Sequence, residues 1–335
     1  MSNETLPLAD AALHPDWPQG RFNVSGMFRH DRWLIELMDT LEQAIDCRLP
    51  IEGIHGAPAV LWNAGRPSGA RPSRSAMTAA IEGLYSRHIG YFATFTNNRL
   101  GSSDLNDPLG NYILDCIGKR PDLNGVIVTS DLLSNYIAEK YPALRQVASI
   151  VKVTFENGQG RSDYYRQLGE RFSRFVVHPD DCRDLELLDQ LDREKAEIIV
   201  NENCAIHCPH RARHYDAYAR WQRIASGYQP VGCDPFAVVA GQQLVDQEMA
   251  QMTAACPAPN DLVCLKKRRR NCNLSRSELK TIHDMGFRHF KLQGRGDDPI
   301  LYMYDVTRFL LEPEFAGPML FKTMFQVIAR ASGPS

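Results

Sequence analysis

Six of the nine cysteines in this 335-residue chain fall between positions 204 and 272, and their spacing is the first feature that chemistry can use. Cys204 and Cys208 stand in NENCAIHCPHRARHY, residues 201–215. A CxxxC pair placed between a strand and a helix directs two thiolates toward one metal, and the helix N-terminus favours the negative charge of the centre. Pro209 suits the first turn of that helix. Two ligands do not complete a site, so Cys233 in the VGCDP loop, and Cys256, Cys264 and Cys272 beyond it, are the candidates for the rest. Cys204, Cys208, Cys233 and one cysteine of 256–272 are expected to hold a 4Fe-4S cluster. Structural zinc is the alternative, because it uses the same thiolate sets. A radical S-adenosylmethionine site needs a cysteine three positions after Cys208, where Arg211 stands. Cys47, Cys116 and Cys182 lie on or beside helical segments and read as small buried hydrophobes.

Around the cysteines stand groups that can bind or move protons. Glu202 is placed to act as acid or base, with a salt-bridged carboxylate as the ordinary alternative. Asn201 and Asn203 offer amide hydrogen bonds to a substrate or to sulfur, or satisfy the turn. Arg211 and His214, three apart on one helical face, can grip a carboxylate or phosphate, against the alternative of a solvated face. Arg295 ends the last predicted strand, where barrels place anion sites. His55, Asn97, Asn98 and His178 fall at or past other predicted strand ends and would face the same cavity. His210 and His214 have the spacing of a helical zinc pair, but Arg211 occupies the place of the glutamate in HExxH, and no GxSxG elbow is present. Both absences argue against a peptidase. Lys266, Lys267, Arg268, Arg269 and Arg270 form the strongest basic run, a contact for RNA or a solvated loop; no aromatic residue is interleaved to stack on bases. The glycines of 156–160 lack a dinucleotide-binding context and read as a turn.

The elements that must position these groups alternate. Strands are expected at 21–24, 51–55, 91–96, 125–129, 147–151, 175–178, 197–201 and 289–292, with helices near 31–46, 74–88, 108–118, 131–140, 163–170, 181–193, 209–225 and 276–285. Ser130, Asp180 and Ser275 read as helix starts, and Gly286 as a C-cap. About eight βα repeats predict an α/β fold, a TIM-like barrel of about eight strands, over an open doubly wound sheet. The segment 227–273, with a helical piece at 236–252, breaks the rhythm as a cysteine-rich insertion before the last strand. The division is then a leader at 1–20, a barrel at 21–312 and an extension at 313–335.

Bulk properties narrow the context. A formal net charge of −2 gives no overall positive field for nucleic acid. The polar N-terminus has no apolar signal region, and no run is long and apolar enough to span a membrane, so a cytoplasmic location is expected. An odd number of clustered cysteines in a reducing compartment suits a metal over a disulfide framework.

NENCAIHCPHRARHY followed by Lys291, Leu292, Gln293, Gly294 and Arg295 resembles the collagenase-like peptidase family, the thirty-second of the peptidases of unknown mechanism. The resemblance covers about a third of the chain, roughly 197–312. It implies kinship with the anaerobic ubiquinone-biosynthesis and RNA-base hydroxylation proteins, which carry 4Fe-4S clusters. The spacing of Cys233 and Cys272 resembles that of the last two cluster cysteines in the ubiquinone subunits, which implies Cys272 as the fourth ligand. Gln293 replaces the family's glutamate, the first cysteine pair is more closely spaced, and the usual Pro-Ala-Gly opening is missing, so substrate identity does not carry over. The expected activity is an iron-sulfur oxidoreductase of hydroxylase type, holding a small anionic or aromatic substrate with Glu202, Arg211, His214 and Arg295. Alternatives are the cluster-bearing half of a heteromer with a related second subunit, an RNA-modifying protein using the basic run, and a peptidase.

Overall fold

The computed structural model describes residues 16–64, 71–155, 161–227, 235–254, 271–294, 299–311, 325 and 329. Eight parallel strands close a barrel: β1 (Arg21–Ser25), β2 (Ile51–Gly56), β3 (Gly90–Phe95), β4 (Gly125–Val128), β5 (Arg145–Ala148), β6 (Arg174–Val177), β7 (Ala196–Ile199) and, after a two-strand excursion, β10 (His289–Leu292). The excursion is an antiparallel ribbon of β8 (Asn201–Ala205) and β9 (Asn271–Asn273). The helices are α1 (Asp31–Ile45), α2 (Arg74–Gly83), α3 (Pro108–Ile117), α4 (Asp131–Lys140), α5 (Ile150–Phe155), α6 (Arg161–Arg171), α7 (Leu185–Asp189), α8 (Arg211–Ala225), α9 (Pro235–Ala254), α10 (Arg276–Asp284) and α11 (Pro299–Leu310). The TIM-like barrel expected from the βα alternation is the fold observed. No helix among the described residues is long and apolar enough to cross a membrane.

Local chemistry explains the helix starts. The Ser130 hydroxyl accepts the Leu133 N–H, and Ser275 makes a reciprocal capping box with Glu278. Asp180 was expected to begin a helix at 181, but the short helix begins at Leu185 under an Asp184 cap. The Asp180 carboxylate is instead taken by Arg211. The strand expected at 147–151 ends at Ala148, and Ile150–Phe155 turns into a helix because the Ser149 hydroxyl accepts the Lys152 N–H and starts it. Residues 202–205, expected as the turn after a strand ending at Asn201, instead belong with Asn201 to a separate strand, β8.

Phe22, Val24, Phe290 and Leu292 face the surrounding helices, where Trp17 packs edge-on against Phe22. The alternate residues point inward, and many are polar. Glu52 on β2 meets Arg174 on β6, with one hydrogen bond at 3.1 Å. Those strands lie four apart in either direction round the barrel, so the contact is made through its interior. Gly53 and Gly125 make room for the inward Phe92 ring, since a Cβ on either would stand 2.6 or 2.7 Å from it.

Burial acts to raise the Glu52 carboxyl pKa, but Arg174 and His289 outweigh it and hold the group well below the usual carboxylate range. Its contribution to stability is complete above the unfolded value of about 4.3 and drains away as pH falls toward the lower folded value. Arg174→Met should leave Glu52 inside the barrel without its arginine and cost about 3–5 kcal/mol in urea unfolding at pH 7. The difference from the unchanged protein should narrow as the titration is repeated below pH 4.

Candidate functional site

At the C-terminal mouth of the barrel, one guanidinium gathers the chemistry. Arg211, the first residue of α8, is 4% exposed. It donates to Asp180 at 2.8 and 3.0 Å, to His178 Nε2 at 2.9 Å and to the Ala205 carbonyl at 2.7 Å. Its Nε lies 3.5 Å from the Cys204 sulfur and one Nη lies 3.4 Å from the Cys272 sulfur. Cys272 sits on β9 opposite Glu202 on β8, and its thiol also reaches Asp180 at 3.5 Å. The His207 N–H donates to Asp180 at 3.0 Å. Three separate pieces of chain, the turn after β6, the β8–β9 ribbon and the start of α8, therefore meet on the Asp180–Arg211 pair.

The electrostatics follow from that pairing. Burial acts to raise the Asp180 carboxyl, but the hydrogen bonds and charge of Arg211 hold it below its ordinary value. Arg211 is held above its ordinary value, its bond to Asp180 outweighing burial. Burial pushes the Cys204 thiol up to about 12, with Glu202 adding to the rise and Arg211 opposing it. Burial likewise raises the Cys272 thiol well above its usual range, against Arg211. His178 is lowered to about 4 by burial and then by Arg211, so its ring is neutral at pH 7. Two protonated thiols beside a neutral imidazole make poor nucleophiles on their own, since reactive cysteines need a lowered pKa.

The structure brings together Cys204, Cys272, Arg211 and His178 from the residues singled out in the sequence. Cys208 is half-buried in the turn after β8, four residues from Cys204. Asn201 is fully buried and its amide is spent on the frame: it donates to the Gln293 carbonyl at 2.9 Å and accepts the Gln293 N–H at 2.6 Å. Asn97 donates to the Leu61 carbonyl at 2.8 Å and accepts the Arg99 N–H at 2.8 Å, so it too is a clamp. His55 is inside the barrel, 2.9 Å from Asn23 Oδ1. His214 packs beside Tyr218 on α8. Arg211, expected to grip an anionic substrate, is instead saturated by Asp180. Cys233, Cys256, Cys264, Arg295 and the basic run of Lys266 to Arg270 lie outside the described residues. Asp180 was missed as a site residue because its Pro-Asp-Asp context reads as a helix start; its burial is set by contacts distant in sequence.

The donor set bears on a metal. Among the described residues, no three His, Cys, Asp or Glu side chains converge closely enough to hold an ion. Cys204 and Cys272 supply two sulfurs that share one N–H donor group, which fits half of a thiolate set; further donors have to come from Cys208 and from residues such as Cys233.

No protein-family model matches the chain, and no curated protein does. Among solved structures, it is similar to a U32 peptidase, with 14% identity, a TM-score of 0.49, and coverage of 84% of this chain and 94% of the other. The expectation of an iron-sulfur oxidoreductase of hydroxylase type is corrected here: no family model and no curated protein matches the chain, and the similar structure is described as a U32 peptidase. A cysteine pattern points to ligands and leaves the reaction open, which is why the sequence argument overreached.

The raised thiol has a direct consequence. In metal-free folded protein at pH 8, alkylation of Cys204 should be on the order of 100-fold or more slower than in the urea-unfolded chain, because its thiolate fraction is suppressed. Peptide mapping by mass spectrometry after timed iodoacetamide exposure measures this, and equal rates would contradict the burial described.

Proposed function

We propose that the mouth of this barrel is a thiolate metal centre, with Cys204 and Cys272 as its first two ligands and with Cys208, which does not converge with them in this structure, and Cys233 completing the set. A 4Fe-4S cluster is the first candidate for the occupant and zinc the second. The observation that carries the reading is that two sulfurs, Cys272 buried and Cys204 half-buried, share the N–H groups of a single guanidinium that Asp180 also holds. Thiolates are stable there only if a further cation arrives, and a thiophilic metal is the cation that sulfur ligands select. Neutral thiols gain little from such an arrangement.

Bound at that place, a metal would supply a fixed positive charge at the barrel mouth, able to polarise an oxygen of a substrate. The chain's own residues have definable tasks around it. Arg211 directs N–H groups at both sulfurs, as outer partners of metal ligands do, and so fixes their orientation. Asp180 holds the planar fork in register through two bonds, and His178 braces its other edge. Arg183 ties the ribbon to the barrel through the Asn273 carbonyl and Glu278, keeping Cys272 over the mouth. Glu202, opposite Cys272, is the carboxylate placed to handle a proton beside the centre.

The test is purification with oxygen excluded, followed by assay of iron, sulfide and zinc in the unchanged protein and in Cys204→Ala, Cys208→Ala, Cys233→Ala and Cys272→Ala. Cys116→Ala, buried on α3 and bonded to Thr78, is the control. Metal should be near-stoichiometric in the unchanged protein and the control, and lost in the four variants. Arg211→Lys keeps the charge but not the fork, and should weaken metal affinity about 10- to 100-fold. Metal-free unchanged protein, or metal content indifferent to Cys204→Ala and Cys272→Ala, would overturn the reading. The metal assay is accompanied by a peptide-hydrolysis assay on the same samples.

A further inference from the structure

The other mouth of the barrel, at the N-terminal ends of the strands, concentrates positive charge that the thiol site does not use. Arg21, Arg145 and Arg174 are the first residues of β1, β5 and β6, and Glu52 is the second residue of β2. β1 and β5 stand four places apart in either direction round the closed sheet, so their first residues lie on opposite rims of the opening. Arg21 alternates with the outward Phe22 and belongs to the inward set of its strand. The Arg145 guanidinium lies 5.0 Å from the centre of the inward Phe92 ring. Burial acts to lower the Arg145 pKa, Glu52 opposes it, and the charges of Arg174 and Arg21 add to the lowering, so all three groups are within electrostatic reach of Arg145.

Of the three guanidiniums, Arg174 alone has a carboxylate partner among the described residues, and that partner is Glu52. Arg145 spends its Nε on the Asn124 carbonyl at 3.3 Å and one Nη on the Leu123 carbonyl, bonds that bring no full negative charge. Its side chain is half-buried, and its other Nη has no hydrogen-bond partner among the described residues. Arg21 is exposed, and its guanidinium has no hydrogen bond or ion pair among the described residues. Nearby acids are taken or solvated: Asp122 is bonded by Arg120 at 2.7 Å, and Glu194 is exposed on the turn before β7. Three guanidiniums against one carboxylate leave two positive charges at this mouth, and unmet like charges act against the compact state.

The chemistry of the ligand follows from that imbalance. A guanidinium presents a planar fork that fits the oxygens of a phosphate or carboxylate group, and two uncancelled charges match an anion carrying two. Because Arg21 stands in solvent at the rim, such an anion needs no passage through the packed barrel. We propose that the N-terminal mouth binds a small phosphate-class dianion, held between Arg21 and Arg145 over the Arg174–Glu52 pair. Barrels carry out their chemistry at the opposite mouth, so this anion is a bound partner of the fold and not a substrate of the thiol centre.

The experiment is calorimetric titration and thermal unfolding at pH 8 and fixed ionic strength, with inorganic phosphate, glycerol 3-phosphate and singly charged acetate as probes. It is run on the unchanged chain, Arg21→Gln, Arg29→Gln and Cys204→Ala. Arg21→Gln removes a side chain that holds nothing in the fold, and its Tm without anion should be unchanged or higher. Arg29, exposed beyond the other end of β1, controls for net charge. Phosphate or its ester should bind the unchanged chain saturably with a stoichiometry of one and raise the Tm, and the tighter of the two identifies a free ion or an ester as the source. Arg21→Gln should weaken that binding about 5- to 20-fold, the effect of one charge-assisted contact at an exposed rim. Arg29→Gln and Cys204→Ala should bind as the unchanged chain does, the latter separating this site from the metal centre. No saturable binding of either phosphate probe, acetate binding as tightly as phosphate, or equal weakening in Arg21→Gln and Arg29→Gln would overturn the proposal. Undiminished binding by Arg21→Gln would do so as well.

Discussion

The Asp180–Arg211 ion pair is the constraint from which the mouth of this barrel is built. A buried guanidinium is tolerated only when its donors are satisfied and its charge is met. Arg211 meets both conditions by drawing in the carboxylate beyond β6, the carbonyl at the end of β8, a neutral imidazole and two sulfurs. These partners come from three stretches distant from one another in sequence, residues 178–180, 204–205 and 272. The pair thus converts three loops into one surface, and it sets the ionisation of everything around it. Because burial outweighs the lowering pull of Arg211 on both thiols, the sulfurs stay protonated until another cation is supplied. A lysine at position 211 would carry the same charge and could not reach in five directions.

The opposite end of α8 is tied down by a similar device. Arg223 pairs with Asp104 at 2.6 and 3.0 Å and donates to the Arg99 carbonyl at 3.1 Å, while the Ala219 carbonyl lies 3.5 Å from Asn97 Nδ2. The helix is therefore stretched from the β6 side of the mouth to the β3 side, anchored at each end by an arginine on a nearly buried carboxylate. An amphipathic helix resting on apolar contacts alone would have left its rotation and sliding less determined. Hydrogen-bonded ion pairs at both ends fix its register, and with it the direction in which Arg211 points.

The barrel itself was legible in the sequence because its signal is local. Alternating apolar strands and amphipathic helices repeat along the chain, and serines such as Ser130 and Ser275 announce helix starts through bonds to residues three positions on. The ribbon of β8 and β9 was not legible. Its two strands are about seventy residues apart, and NENCA is too polar and too short to read as a strand without its partner. The cysteines could be recognised as candidates from type and clustering, whereas Asp180 could not, since what makes it a site residue is a partner thirty-one positions away. Asn201 was read either as a contact to substrate or sulfur or as a residue satisfying the turn, and its amide is spent on the backbone of Gln293.

That mutual clasp explains why the two motifs occur together in one chain. Asn201 at the start of the ribbon holds the backbone of Gln293 just past β10, and the Val200 N–H donates to the Lys291 carbonyl at 2.9 Å. The Leu274 N–H, at the far end of the ribbon, returns to the Val200 carbonyl at 2.8 Å. The first motif therefore carries the thiols on one side of a junction, and the second sends Lys291 into the barrel from the other. Both depend on the same few backbone bonds at the ends of β7 and β10. A change in Asn201 would shift the ribbon and the lysine strand together. Residues that look catalytic in a motif can owe their place to this kind of joinery.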